Sequence, residues 1–280
     1  MPDLGDAPSR LPIGQDAAVE QFRPETVVAI GAVETALLMA GKGSGKIHFK
    51  VERDVVTDTD VAIEDLIRAK VEDDLGLPVV GEERGGQVTP GESYWLVDPI
   101  CGTRNFASGI RLFSVNMALV ERGEIVIAVV GNGSTGDIHV SERGKGAWTI
   151  GQGVPDQLRA NEDSRIVNFG STAELSGTER ERAALAAAAS IRANRWDIRS
   201  LGTTLALGYL AEGRIAASIH FLSPALHCGA GTLLASESGA VVTDFGGMPW
   251  TIDSGTLVAS AGDELHVELL ELLHLPDARW

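Results

Sequence analysis

The sequence predicts a layered α/β fold, and three observations carry that prediction. From residue 166 onward, strand-like and helix-like periods alternate, as they must when helices cover the faces of a sheet. Between residues 94 and 150, apolar runs follow one another across short turns, as in an antiparallel sheet. Hydrophobic residues make up 44% of 280, enough for a large core in one compact unit or two tightly joined halves.

Residues 1 to 15, with three prolines and two glycines, read as a flexible leader. Pro24 then opens a helix with Val27, Val28, Ile30, Val33, Leu37 and Leu38 on one broad face, closed by the stretch Gly41 to Gly45. Lys50 to Val56 reads as a strand. Thr57 or Asp58 caps a second helix carrying Val61, Ile63, Leu66, Ile67 and Val71. Val79-Val80 is a short strand leading to Glu82. Tyr94 to Val97 reads as a buried strand that stops at Asp98-Pro99, because proline has no N–H for a ladder. Gly102-Thr103 opens a turn into a helix or loop.

Phe113 to Val120 and Ile125 to Val130 form a hairpin around Arg122-Gly123, and Asp137 to Val140 and Ala147 to Ile150 continue the sheet. Gly151 to Pro155 is the expected boundary, dividing an N-terminal half, 16–152, from a C-terminal half, 153–280. Beyond it, strands are expected at Ile166 to Phe169, Asp197 to Arg199, Ile215 to Ile219, Ala240 to Thr243 and Leu257 to Ser260. Helices are expected over Thr178 to Ala193, Thr203 to Ala211, Gly229 to Ser238 and Asp263 to Leu273.

A formal charge of −16 and a pI near 4.7 argue against nucleic acid or an anionic membrane as partner, since both are held by Lys and Arg. No apolar run reaches the length of a membrane span, and the first residues lack a basic start followed by an apolar stretch, so a cytoplasmic protein is expected. Two cysteines, Cys101 and Cys228, make no disulfide framework.

The chemistry gathers at Trp95-Leu96-Val97-Asp98-Pro99-Ile100-Cys101-Gly102-Thr103. A carboxylate at a strand end, beside the free N–H groups of Gly102 and Thr103, can hold a cation and an anion together. Upstream lie Gly81-Glu82-Glu83 and the run Asp54 to Asp60. Downstream lie Gly144-Lys145-Gly146, read as a structural turn, and Glu237-Ser238-Gly239.

In this order and spacing the set resembles the inositol monophosphatase family of magnesium-dependent, lithium-sensitive phosphatases, over residues 20 to 265. The resemblance implies a five-layer αβαβα sandwich with the site between the halves. It places one metal on Glu82, Asp98 and the Ile100 carbonyl, with the attacking water oriented by Thr103 and Asp60. It also implies that the family's second metal site is weakened or absent here. Cys101 stands where an Asp is expected, and His227, ten residues before Glu237, stands where another is. A thiol and an imidazole are poor magnesium ligands. His220, seven residues before His227, replaces a Glu that touches the inositol ring, which argues against inositol phosphate as substrate.

Each departure has a plain reading: Cys101 as an inert small residue, His227 as a hydrogen-bonding residue at a helix start, His220 as a surface residue, and Asp60, Glu82 and Asp98 as caps. The leading expectation is a repurposed enzyme acting on a small anionic or phosphorylated metabolite. Its expected groups are Cys101, His227, Thr103 and Asp60 for catalysis, and Gly102, Thr103 and His220 for substrate. In that reading His227 activates the Cys101 thiol or serves acid–base chemistry. The alternatives are a one-metal phosphomonoesterase, a zinc site on Glu82, Asp98, Cys101 and His227, and a non-catalytic ligand- or partner-binding protein. One Mg²⁺, another divalent ion such as Zn²⁺, or no cofactor fits these readings, and a homodimer is expected by resemblance.

Overall fold

The computed structural model describes residues 21–51, 54–151, 155–170 and 175–273, and the leader reading lies outside them. The first helix, α1 (Pro24–Ala40), starts at its proline as expected. Where a single strand was expected there is a hairpin, β1 (Ile47–Val51) and β2 (Asp54–Thr57), paired antiparallel. Thr57 caps α2 (Asp58–Leu75), its hydroxyl bonded to the backbone N–H and carboxyl of Asp60. This capping box makes Asp60 the third residue of the helix and pins its carboxyl inward.

A seven-stranded sheet follows: β3 (Val79–Gly81), β4 (Tyr94–Cys101), β5 (Ser114–Glu121), β6 (Glu124–Asn132), β7 (Ile138–Glu142), β8 (Ala147–Ile150) and β9 (Asp156–Gln157), in chain order. Only β3 and β4 run parallel. The short helix α3 (Thr103–Ala107) leaves the end of β4. The Gly144-Lys145-Gly146 turn is held by Glu237, whose two carboxylate oxygens accept the N–H groups of Gly144 and Gly146, each at 2.8 Å. That supports its structural reading.

The second sheet runs in the order β11 (Asp197–Arg199), β10 (Ile166–Phe169), β12 (Ala217–His220), β14 (Leu257–Ser260) and β13 (Val241–Thr243). Its helices are α4 (Gly177–Ala193), α5 (Leu205–Ala211), α6 (Ala225–Glu237) and α7 (Asp263–Leu273). Helices α1 and α2 cover one face of the first sheet, while α5 and α6 lie between the two sheets. α4 and α7 cover the outer face of the second, completing five layers, αβαβα. Trp95, Met117, Leu119 and Ile127 face α1 and α2, and Ala118, Val120 and Ile125 face α5 and α6. With both faces covered, β5 and β6 carry unbroken apolar runs. No helix among the described residues is long and apolar enough to cross a membrane.

Candidate active site

Strand β4 does not stop at Asp98-Pro99. It continues to Cys101 through an irregularity in its pairing with β5: Asp98 faces Asn116, and the next partners are Cys101 and Ser114. Pro99, with no N–H to offer, occupies this slipped segment, where a ladder bond is not needed. The slip turns the Asp98 carboxyl, the Ile100 carbonyl and the Cys101 thiol into one cleft of about 140 Å³. Glu82, Gly102, Thr103, His220 and His227 line it too.

Glu82 is aimed by a residue that sequence reading missed. Glu64, fully buried on α2, accepts the N–H groups of Glu83 at 2.5 Å and Arg84 at 3.0 Å, and pairs with Arg68 at 3.1 Å. A Cβ at Gly81 would fall 2.0 Å from a Glu64 oxygen, so a side chain there would push this carboxylate off the N–H groups of Glu83 and Arg84. The one sequence signal was the i,i+4 spacing of Glu64 and Arg68.

Helix α6 begins at Ala225, four residues ahead of the expected Gly229, which places His227 in its first turn. Its Nδ1 lies 2.7 Å from Asp98 Oδ2 and 4.0 Å from Glu82 Oε2. A carboxylate only accepts, so Nδ1 carries the hydrogen and donates it. The other Asp98 oxygen, Oδ1, is buried with no hydrogen-bond partner. Asp98 thus has one oxygen committed to the imidazole and one uncommitted.

Cys101 is engaged elsewhere. Its Sγ lies 2.9 Å from the Thr204 hydroxyl and accepts the Thr204 N–H at 3.3 Å, and its carbonyl accepts the Thr203 hydroxyl at 2.7 Å. Asn116 donates to the Thr204 hydroxyl at 2.9 Å and to the His227 carbonyl at 3.3 Å. Burial, reinforced by the Asp98 charge, pushes the thiol well above the ordinary cysteine range. The expected activation of Cys101 by His227 is therefore not what the geometry provides: the imidazole N–H is directed to Asp98, and the thiol is bonded to Thr204 and keeps its proton. Cys228 is likewise buried, with a free thiol.

Asp60 is fully buried behind Thr103. Its Oδ2 accepts the Thr57 N–H at 3.1 Å and the Thr57 hydroxyl, and Oδ1 has no partner among the described residues. Desolvation pushes its carboxyl up to about 6. The Thr103 hydroxyl is committed to the Ile100 carbonyl at 3.0 Å, yet lies close enough to ease the Asp60 charge. Gly102 opens α3 at φ 103°, and a Cβ there would fall 3.0 Å from Thr203 and 3.1 Å from the Leu112 carbonyl. His220 is no surface residue; it is 5% exposed at the end of β12.

A hard divalent cation fits Glu82, Asp98 and the Ile100 carbonyl, because Asp98 Oδ1 is a buried carboxylate oxygen that nothing among the described residues satisfies. Ligand atoms of Asp98, Cys101 and His227 also lie within 4.8 Å of one another, but two of the three are soft or borderline donors with other partners. The second magnesium position therefore does not fit.

Comparison with known proteins agrees with this architecture. Residues 23–275 match the inositol monophosphatase family. An inositol-1-monophosphatase of Mesorhizobium japonicum is 31% identical over 76% of this chain and 81% of its own. Inositol-1-monophosphatase ImpA of Mycolicibacterium smegmatis is 28% identical over 91% and 95%. Among solved structures, the extragenic suppressor protein suhB of Bartonella henselae superposes with a TM-score of 0.81 at 22% identity, covering 90% of this chain and 99% of its own. With the motif run, the five layers and the matched length in agreement, the chain belongs to the inositol monophosphatase family.

Proposed function

We propose that the protein is a metal-dependent phosphomonoesterase in which a single hard cation and the Asp98–His227 pair share the work of a two-metal site. The division of Asp98 carries this reading: Oδ2 holds the imidazole at 2.7 Å and Oδ1 is buried and unpaired. A divalent ion held by Glu82, Asp98 and the Ile100 carbonyl would screen the phosphate and make the attacking water more acidic. Asp60, pushed up to about 6, is suited to take a proton from that water near neutral pH, with Thr103 between it and the cleft. His227, its Nδ1–H fixed on Asp98, would take up a proton from solvent at Nε2 and pass it to the leaving oxygen. Gly102 and Thr103 offer backbone N–H groups to the phosphate. Cys101 shapes the cleft and does not attack. The charge of −16 and the exposed apolar side chains of Leu38 and Ile110 support a cytoplasmic homodimer working on a small molecule, with neither nucleic acid nor membrane as partner.

The test is phosphate release from a panel of small phosphomonoesters with Mg²⁺, Mn²⁺ or Zn²⁺, for the wild type, His227→Ala and the double variant Cys101→Asp/His227→Asp. The expected outcome is metal-dependent release by the wild type, falling about a hundredfold or more in His227→Ala with general-acid loss. Release by the double variant alone, with none by the wild type under any metal, would overturn the proposal.

A further inference from the structure

The sulfur of Cys101 ends a hydrogen-bond chain whose direction is set by a carbonyl. Asn116 faces the His227 carbonyl at 3.3 Å, and a carbonyl only accepts, so the group facing it is Nδ2. Nδ2 gives its other hydrogen to the Thr204 hydroxyl at 2.9 Å. That hydroxyl must then place its own proton, and Cys101 Sγ at 2.9 Å is the acceptor left to it among the described residues. The Thr204 N–H donates to the same sulfur at 3.3 Å. Two donors therefore converge on Sγ, a setting that favours a thiolate as soon as a cation balances its charge. Donors placed behind a ligand atom in this way also fix its orientation.

Asp98 and His227 complete a cluster with this sulfur, and all three line the cleft. One ligand atom from each lies within 4.8 Å of the other two. Zinc, with bonds of about 2.0 Å to nitrogen or oxygen and about 2.3 Å to sulfur, holds tetrahedral donors about 3.3–3.6 Å apart, so modest side-chain rotation closes the set. Asp98 is fully buried, and its Oδ1 has no partner among the described residues. Carboxylate, imidazole and thiolate together suit a borderline ion, not magnesium.

From this geometry we infer that Asp98, Cys101 and His227 form a Zn²⁺ site, different in ligand chemistry from the hard-cation position on Glu82, Asp98 and Ile100, and that zinc bound there inhibits phosphate release. The inhibition rests on the phosphomonoesterase reading of the cleft, whereas the zinc site stands on the cluster alone. On binding, the Cys101 thiol loses its proton to solvent and the thiolate bonds the ion. The neutral imidazole gives its Nδ1 lone pair once the ring hydrogen has moved to Nε2, so one proton is released in all. With its hydrogen on Nε2 and its lone pair on zinc, His227 can no longer take up the proton meant for the leaving oxygen. The fourth zinc position is left to water from the cleft.

The site is tested on the full chain with saturating Mg²⁺ and Co²⁺ as a spectroscopic stand-in for zinc. The wild type and Cys228→Ser should show sulfur-to-cobalt charge transfer and the intense visible bands of a four-coordinate ion. Cys101→Ser should show neither, and bands that survive this change overturn the inference. Zinc affinity, read by competition with a chromophoric chelator, should fall more than about a hundredfold in Cys101→Ser. In Thr204→Val, which folds without touching a ligand atom but removes one donor to the sulfur, it should fall about tenfold. Wild-type affinity in both variants overturns the inference. In the phosphate-release assay, zinc added to the Mg²⁺-loaded wild type at a saturating level should cut the rate at least about tenfold. A zinc-selective chelator should restore it. Release that is unchanged or raised at that zinc level overturns the inhibition. If no ester is turned over even without zinc, the functional reading has failed, and the cobalt spectrum and zinc affinities decide the site by themselves.

Discussion

Cys101 Sγ lies between the hydroxyl and the N–H of Thr204, a residue 103 positions away in sequence, with Asp98 three residues before it. A thiolate there would face a carboxylate charge and lose solvation, so the proton stays. Cys101→Ser keeps a hydroxyl for Thr204 and is expected to change kcat/KM by only about threefold, the scale of one altered hydrogen bond. In the same assays iodoacetamide should leave the native wild type active until it unfolds; rapid inactivation in step with one alkylated cysteine would contradict this. Asp98→Asn acts on both halves of the site, since it removes the negative charge and leaves a single oxygen that can serve the imidazole or the cation but not both. Phosphate release should fall about a thousandfold, and Mg²⁺ should no longer raise the melting temperature. A melting point that still rises with Mg²⁺ would place the cation elsewhere. The sequence pointed to Glu82, Asp98, Ile100, Thr103 and His227, and the structure brings all five to one cleft. It was silent on Thr204, Asn116 and Glu64, because their positions come from strand pairing and helix packing and leave no local pattern.

Elements were legible where their signals were local. Proline at the start of α1 and the Thr57–Asp60 box of α2 are capping chemistry written in adjacent residues. The β1–β2 hairpin reads as one strand in the sequence because no Asn-Gly or Gly signal separates its two halves. Strand β4 runs past Asp98-Pro99 because a pairing slip lets proline stay in a strand, and nothing in the local sequence marks that slip. The start of α6 leaves no capping signal in the sequence, since Pro224 and the apolar Ala225-Leu226 give no side-chain cap. That helix packs closely on α5: a Cβ at Gly231 would lie 2.6 Å from Leu207 Cδ1 and 2.8 Å from its Cβ. Gly231→Ala pits a helix-propensity gain of about 1 kcal/mol against overpacking in a buried contact, typically about 1–3 kcal/mol. The substitution should lower stability in urea titrations, and an increase would mean that α6 can shift away from α5.

At the scale of the whole molecule, five layers bury titratable groups that the unfolded chain would leave in water, and two of them make stability depend on pH in opposite directions. Asp60 is raised from 3.8 to about 6, so across that window the native state holds a proton that the unfolded state has released. Stability from this group is present at low pH and is lost as pH rises through about 6. His220 is lowered from 6.5 to about 4, so there the unfolded state binds the extra proton, and stability is lost as pH falls below 6.5. Each shift spans roughly two pH units, equivalent to about 3 kcal/mol. The two slopes overlap between pH 4 and 6 and oppose each other there, so in the absence of divalent ions the pair adds little net pH dependence to the wild-type curve. Removing either group exposes the other. Asp60→Asn should become more stable with rising pH across this range, and His220→Gln should become less stable. Urea unfolding at pH 4.5, 5.5, 6.5 and 7.5 reads both slopes, with the acidic background of −16 common to all three proteins. If the Asp60→Asn and wild-type curves run parallel, Asp60 does not carry its burial cost as charge, and its part as a proton acceptor near neutral pH would have to be given up.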